Sequence, residues 1–343
     1  MYDEFVCARA MPILGVTGPI DFDAGSIAPF ECLTFDWSSQ AEKDASLDRL
    51  SLKNRSAVVT EPFRFYEALT IPIDDVAAEV DSSPFDVICS FGQPGRLVEI
   101  QKRLKTGKRI VAAAELGSDK LTASLSEQVE WLKCAVNLGL DGSYCGMLGV
   151  CRGPGIEAYA TAQAATGAPL VLLVPDHEVK QSLELLKAHS ASMAKVVFLN
   201  VRDKSTIKTI INEGCLVGFT SPSLEARAHA SPFRGLSVDE LEELLPDVPK
   251  DHLLLSPGLC MRHHFTNFGG FGLNRREMTS EGTNAFLTFP WEPPRVEVKV
   301  EKQFWTCHIC ATSGDELVRN YTKMGFTYCS MICLSRHRSA GFK

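Results

Sequence analysis

The sequence lacks the features of a membrane protein or a nucleic-acid-binding protein. No run of apolar residues approaches the roughly 20 that span a bilayer, and the N-terminal segment carries no basic stretch followed by an apolar one. Basic residues are outnumbered, with 35 Lys and Arg against 42 Asp and Glu and a formal net charge of -7. Because phosphate binding needs a basic surface, we expect neither a membrane nor a nucleic acid as the main partner.

Nucleotide-binding glycine motifs are also absent. The chain contains no GxGxxG and no Walker-type loop, and the GGFG at 269–272 matches no phosphate-binding template. Cysteine, in contrast, is plentiful, with 12 residues. In a chain without a secretory leader these predict reduced thiols and a cytoplasmic or nuclear location. Eight are scattered singly, as buried small apolar residues are, and four form two close pairs near the C-terminus.

Short apolar runs alternate with amphipathic helical patterns between residues 30 and 258. Near-continuous apolar runs are typical of parallel strands that are covered on both faces. Eight such units in about 250 residues favour an α/β fold, a (β/α)8 TIM barrel, over an open doubly wound sheet. The predicted strands are 30–35, 86–91, 109–116, 146–151, 169–174, 195–201, 215–220 and 252–257.

The pattern changes after Gly272, where polar and turn residues lead to three prolines and a short alternating stretch. We therefore predict a barrel over residues 1–275, a linker over 276–304 and a small separate module over 305–343.

Several segments of the barrel region resemble the phosphotriesterase-related branch of the amidohydrolase superfamily. They are LGVTGPIDFDAGSIAPFECLTFD at 14–36, the glycines Gly146 and Gly149, Arg202, and the stretch from Leu253 to Gly272. The resemblance covers about residues 12–275 and implies a barrel built around two metal ions, which would activate water for hydrolysis.

The same resemblance shows that the ligands are missing. The family's first-strand histidines fall on Phe30 and Cys32, with Glu31 between them. The other ligand positions fall on Val150, Val174, Leu199 (or Asn200, if the register shifts by one) and Gly258. A set dominated by carbon side chains and glycine cannot hold divalent cations. We expect Glu31 to cap neighbouring backbone or to pair with Arg202.

Two other interpretations of the barrel stay open. A rebuilt hydrolase site would use Glu31, Asp176, His177, Asn200 and His263, which lie at or just beyond predicted strand ends, where barrel sites form. Cys32 has no obvious partner base in the sequence, which disfavours a cysteine nucleophile. Alternatively, the apolar interior would bind a small apolar molecule and act as a sensor.

The C-terminal module carries a zinc pattern. Two close thiol pairs, separated by eighteen residues, can close a tetrahedral shell around one structural zinc ion. The ligands are Cys307, Cys310, Cys329 and Cys333, with His337 as a substitute. The run FTYCSMICLSRHR resembles the second knuckle of MYND and HIT-type zinc fingers, and that resemblance implies a protein partner. The leading interpretation is thus a non-catalytic barrel, a pseudoenzyme, that serves as a scaffold or interaction component, of unknown oligomeric state.

Overall fold

A computed structural model describes residues 12–20, 26–34, 41–51, 53–220, 235–268, 272–273, 286–291, 305–306, 313–314, 321–323, 326–328 and 331–339. The chain divides into two compact units, Met1–Pro293 and Pro294–Lys343.

The first unit is built on one parallel sheet of eight strands. A short antiparallel hairpin comes first, with β1 at Ile13–Gly15 and β2 at Gly18–Ile20. The barrel strands follow as β3 (Ile27–Glu31), β4 (Val87–Ser90), β5 (Arg109–Ala114), β6 (Cys145–Cys151), β7 (Leu170–Leu172), β8 (Val196–Leu199), β9 (Leu216–Thr220) and β10 (Leu253–Ser256). Each strand pairs with the next along the chain, from β3 to β10. The predicted barrel, with its eight strands, is confirmed.

Helices connect the strands on the outside of the sheet. They are α1 (Arg55–Thr60), α2 (Tyr66–Leu69), α3 (Ile73–Ser82), α4 (Pro94–Arg103), α5 (Ser118–Leu121), α6 (Leu125–Asn137), α7 (Ile156–Thr166), α8 (Val179–Ala188), α9 (Lys204–Asn212) and α10 (Val238–Leu244). Three of them, α6, α9 and α10, begin after a residue whose side chain caps the first turn, namely Ser124, Asp203 and Ser237. The side chain of Ser124 accepts a hydrogen bond from the backbone N–H of Glu127, whose carboxylate accepts one in return, at the start of α6.

Two apolar layers stabilise the barrel, because successive side chains of each strand point to opposite faces. On β4, Val87 and Cys89 belong to the cluster inside the barrel, whereas Ile88 belongs to the cluster between sheet and helices. Burial on both faces explains why the strands read as continuous apolar runs.

Part of the predicted linker is buried in the first unit. Phe286 and Leu287 join the interior cluster, and Phe289 and Trp291 join the outer one. The indole Nε1 of Trp291 donates a hydrogen bond to the carbonyl of Val136. The compact unit accordingly extends to Pro293, whereas the sequence predicted a boundary at residue 275. The short apolar segment at 286–291 was not recognised in the sequence because prolines and polar residues surround it.

The second unit contains two short antiparallel pairs and a helix. Strands β11 (Trp305–Thr306) and β12 (Ser313–Gly314) pair with each other, as do β13 (Tyr321–Lys323) and β14 (Phe326–Tyr328). Helix α11 spans Met331–Ser339. None of the helices in the described part of either unit is long and apolar enough to cross a bilayer.

Candidate functional site

Glu31 lies at the seam where the first and last barrel strands meet, and its carboxylate is fully buried. The oxygen Oε1 accepts hydrogen bonds from the Ser256 hydroxyl (2.6 Å) and the Gly258 amide (3.2 Å), and Oε2 accepts one from the Leu259 amide (2.5 Å). Burial raises the pKa of Glu31 to about 7, although these donors oppose the shift. The carboxylate therefore caps backbone at the seam, one of its two expected roles.

Arg202, the expected ion-pair partner of Glu31, binds other groups. The guanidinium of Arg202 binds the carboxylate of Glu240 at 3.1 Å and the carbonyl of Gly235 at 3.2 Å. It thus ties the loop after β8 to the start of α10.

The expected metal-ligand positions lie in or next to the apolar interior. Phe30, Cys32, Val150 and Leu199 all belong to the interior cluster, and Val174 is buried in the outer one. Among the described residues, no three His, Cys, Asp or Glu side chains are grouped so that they could hold a metal ion. The carbon side chains at these positions instead pack against one another.

Phe30 occupies space at the centre of this interior. Its ring lies parallel to that of Phe91, with centroids 6.5 Å apart and an interplanar angle of 2°. A Cβ placed on Gly218 would lie 2.8 Å from Phe30 Cε2 and 2.6 Å from Leu199 Cδ2. Both contacts are shorter than a real Cβ tolerates, so Phe30 and Leu199 fill the volume over the glycine.

The residues of the alternative hydrolase site have separate partners. The Asp176 carboxylate accepts hydrogen bonds from the amides of Arg202 (3.1 Å) and Asp203 (2.7 Å), and it borders a surface groove of about 430 Å³ between α8 and α9. The side chain of His177 is 80 % exposed and faces Glu178. Asn200 is buried and exchanges hydrogen bonds with Thr220.

His263 lies among a second group of polar residues beyond β10. Its ring is perpendicular to that of His264, with centroids 4.4 Å apart. Burial, reinforced by the charge of Arg55, lowers the pKa of His263 to about 4 and that of His264 well below its usual value. Both imidazoles are therefore neutral near pH 7. Nδ1 of His263 has no hydrogen-bond partner among the described residues.

Two further groups at the strand ends were not predicted. Glu115 directly follows β5 and Arg152 directly follows β6. Burial raises the pKa of Glu115, and the charge of Arg152 partly opposes that shift. Glu115 falls within the predicted strand 109–116 and Arg152 directly follows the predicted strand 146–151, so the available signal was a charged residue near the end of each strand.

In the second unit the structure describes two of the expected zinc-binding side chains. Cys333 and His337 are buried at 7 % and 1 % exposure, four residues apart on α11, while Arg336 and Arg338 are exposed. Residues four apart share one helix face, so the thiol and the imidazole point to the same side. Cys307, Cys310 and Cys329 lie outside the described residues. The pair that is described fits a Cys and His donor set for zinc.

Comparison with known proteins matches each unit separately. Residues 302–343 match the family model of the Vms1-associating treble clef domain. The chain resembles the crystal structure of a resiniferatoxin-binding protein from Rhodobacter sphaeroides at 20% identity and a TM-score of 0.66, over 81% of this chain and 92% of that one. No curated protein matches the sequence.

Two further structures give the same result. An amidohydrolase from Mycoplasma synoviae is 13% identical, with a TM-score of 0.61, and the match covers 83% of this chain and 94% of that one. The phosphotriesterase homology protein from Escherichia coli, crystallised with phosphate in its active site, is 17% identical, with a TM-score of 0.55 over 78% of this chain and 97% of that one. The chain thus combines a barrel of the phosphotriesterase-like amidohydrolase fold with a C-terminal treble clef domain.

Proposed function

We propose that the chain is a non-catalytic barrel that works as a protein-interaction or scaffold component, and that its treble clef domain docks the partner. The observation that carries the proposal is the packing of Phe30 and Leu199 over Gly218. Where the resemblance to amidohydrolases places metal ligands, this interior holds mainly apolar side chains, which offer a divalent cation too few donor atoms. A hydrolase of this kind needs the metal to generate hydroxide near neutral pH.

Glu31 supports the same conclusion, because its carboxylate has a structural task. Both of its oxygens accept hydrogen bonds from residues 256–259. A carboxylate used in this way holds the seam and is not free to bind a metal or move a substrate proton. The packing of Phe30 beside Phe91 likewise disfavours the small-molecule sensor, because a bulky apolar ligand would have to displace one of the two rings.

The partner-binding role is assigned to the C-terminal domain on two grounds. The description of the matching family model, Vms1-associating, indicates association with another protein. In addition, α11 buries Cys333 and His337 on one face and exposes Arg336 and Arg338, which flank that face on its two sides. One structural zinc ion, held by Cys307, Cys310, Cys329 and Cys333 or with His337 in place of one thiolate, would fix the helix so that its two exposed arginines are presented. The reduced thiols that such a site needs suit the cytoplasm or the nucleus.

Metal content tests the proposal. The full chain and its Cys307→Ser/Cys310→Ser variant are purified and analysed by inductively coupled plasma mass spectrometry. We expect about one zinc ion per full chain and none in the variant, whose barrel still unfolds cooperatively. Stoichiometric metal in the folded variant would place the ion in the barrel and overturn the non-catalytic assignment.

The partner role has its own test. Proteins cross-linked to the full chain in cells are compared with those cross-linked to Arg336→Glu/Arg338→Glu, in which the zinc ligands are intact. We expect specific partners to be lost from the charge-reversed variant at unchanged zinc content. An unchanged set of partners would show that docking does not use these two arginines.

A rebuilt hydrolase is the second candidate, and one observation favours it. Glu115 and Arg152 lie at adjacent strand ends, where barrel enzymes place reacting groups, and the pKa of Glu115 is raised by burial. A hydrolase screen of the full chain, repeated with Glu115→Gln, tests this candidate. Activity that disappears with Glu115→Gln would replace the scaffold assignment.

A further inference from the structure

Two cysteines face each other across the barrel seam. Cys32 directly follows β3, and its amide donates a hydrogen bond of 2.7 Å to the carbonyl of Leu259. Both cysteines lie just beyond their strands, and this bond joins Cys32 to the residue that precedes Cys260. If the parallel pairing continues to them, their Cα atoms lie about 4.8 Å apart, within the range of about 4.4–6.8 Å that a disulfide requires.

The two thiols point into the same apolar volume. Cys32 and Cys260 are both buried members of the interior cluster. Each lies within electrostatic reach of the other, since an ionised Cys260 would raise the pKa of Cys32 further above the level set by burial. Cys89 belongs to the same cluster, but its pKa responds to Glu31 and not to another thiol. Proximity therefore distinguishes the seam pair from a comparably buried cysteine.

His264 supplies a base beside one of these thiols. Its Nδ1 accepts a hydrogen bond from the backbone N–H of Cys260 at 3.3 Å and lies 3.8 Å from Cys260 Sγ. Because a backbone N–H can only donate, Nδ1 is the nitrogen that carries no proton. Burial keeps the imidazole neutral by lowering its pKa. The single lone pair of Nδ1 is therefore directed at Cys260, at the backbone amide and within 3.8 Å of the thiol.

We propose that Cys32 and Cys260 are a redox-active thiol pair that a hydroperoxide converts into a disulfide. His264 Nδ1 takes the proton of Cys260, and the thiolate attacks one peroxide oxygen. The S–O bond forms, the O–O bond breaks, and the departing hydroxide receives the proton to leave as water. The thiol of Cys32 then attacks the sulfenic acid sulfur, forming the disulfide and releasing a second water. Two thiols lose two electrons, and one hydrogen peroxide accepts them.

The disulfide can be identified in a tryptic digest, because each of the two cysteines lies on its own peptide. Trypsin releases Cys32 in residues 10–43 and Cys260 in residues 251–262, and neither peptide contains another cysteine. The full chain is treated with hydrogen peroxide, quenched with catalase, alkylated with N-ethylmaleimide under denaturing conditions, digested and analysed by mass spectrometry. We expect a linked pair of these peptides, two hydrogens lighter than their sum, which dithiothreitol separates.

Matched variants make the test specific. The linked pair should be absent from Cys32→Ser and Cys260→Ser, and from the corresponding alanine variants, whereas Cys89→Ser should yield as much as the wild type. If both peptides remain fully alkylated at oxidant levels that oxidise Cys307 or Cys329, the proposal is overturned. Linkage of Cys32 to Cys89 in place of Cys260 would overturn it too.

His264 is tested separately from the pair. The variant His264→Asn retains an acceptor for the Cys260 amide but cannot take a proton in this pH range. We expect the linked peptides to form at least about tenfold more slowly, as general-base contributions generally imply, while the circular dichroism spectrum matches the wild type. An unchanged rate would exclude His264 as the proton acceptor.

Discussion

The barrel holds its cysteines as neutral thiols, whereas the treble clef domain requires thiolates if it is to bind zinc. Burial raises the pKa of Cys145, Cys151 and Cys215 to about 12, so these side chains pack as small apolar groups. In the C-terminal unit, Cys333 is also buried, but beside His337 on a helix of a unit of about fifty residues. The same side chain thus contributes packing in a large core and, under the proposed function, would contribute metal ligation in a small unit.

The two units are expected to depend on different sources of stability. A barrel of this size buries enough apolar surface to fold without a metal. A domain as short as the C-terminal unit has too little apolar surface, so zinc binding and folding are expected to be coupled.

The largest effect is expected from Cys333→Ser. Zinc binding supplies about 10–16 kcal/mol in small zinc domains, so we expect loss of the metal and rapid proteolysis of residues 294–343. The barrel should unfold at the same temperature as before. Zinc content and limited proteolysis provide the measurement, with Cys134→Ser on α6 as a control that changes neither. A protease-resistant tail without zinc would contradict the coupling of metal and fold.

Removing the seam carboxylate should destabilise the barrel alone. The variant Glu31→Ala leaves the donors of Ser256, Gly258 and Leu259 buried without an acceptor, and we expect unfolding to require about 3–5 kcal/mol less. Urea denaturation followed by tryptophan fluorescence measures the change. Glu184→Ala, which removes an exposed glutamate on α8, is the control. Equal effects of the two variants would show that the seam bonds contribute little.

Acid should destabilise the barrel through its buried histidines. The pKa of His263 is about 4 in the folded barrel, against an ordinary value of 6.5. The unfolded chain therefore binds more protons between these values, and the free energy of unfolding falls by about 3 kcal/mol as the pH drops from 6.5 to 4. Urea denaturation across this pH range should show a flatter dependence for His263→Gln.

Glu31 titrates with the opposite sign, which offers an internal check. Its pKa is raised to about 7 from 4.5, so the folded barrel binds the extra proton and its contribution to stability is lost as the pH rises through 7. In Glu31→Gln the opposing contribution is gone, and stability should fall more steeply on acidification than in the wild type. If the free energy of unfolding changed with pH equally in this variant and in the wild type, the pKa of Glu31 would not be raised in the folded barrel.

A smaller effect is expected from Gly218→Ala. The new Cβ would collide with Phe30 and Leu199, and overpacking of this kind costs about 1–3 kcal/mol. The double variant Phe30→Leu/Gly218→Ala should recover part of the loss, with a coupling energy above about 0.5 kcal/mol in denaturation measurements. A neutral Gly218→Ala would reveal free volume in the interior and revive the sensor interpretation.

The smallest effect is expected from His177→Ala. Its side chain is 80 % exposed, and substitutions at such positions change stability by less than about 0.5 kcal/mol. Any hydrolytic activity of the preparation should also stay unchanged. A loss of activity confined to this variant would support a rebuilt site near α8.

The eight barrel strands could be predicted because each is buried on both faces and reads as an apolar run. The hairpin β1–β2 and the anchor around Phe289 were missed, since three-residue strands and an apolar cluster among prolines carry little periodic signal. Helices α1 and α2 were missed for the same reason, being six and four residues long.

From the sequence, the candidate site could be predicted at single positions but not where distant residues come together. The predicted first strand, 30–35, begins at Phe30, whereas β3 ends at Glu31. The capping role of Glu31 was among the expectations. The relation between Cys32, Cys260 and His264 was not accessible, because it depends on a register between strands that are more than 220 residues apart in the chain. Residues so far apart in the chain cannot be recognised as spatial neighbours from the sequence unless a motif identifies both of them.

The seam has a consequence for how the protein is made. Glu31 and Leu259 are separated by 228 positions, so the sheet can grow strand by strand during synthesis but cannot close until the last strand has left the ribosome. At elongation rates of about 5–20 residues per second, the nascent chain spends on the order of ten seconds or more as an open sheet with two unpaired edges. During that interval Glu31 is a solvated carboxylate at an exposed edge, where charge discourages pairing with another chain. The carboxylate of Glu31, which holds the finished barrel closed, would thus first protect the open sheet from pairing with another chain.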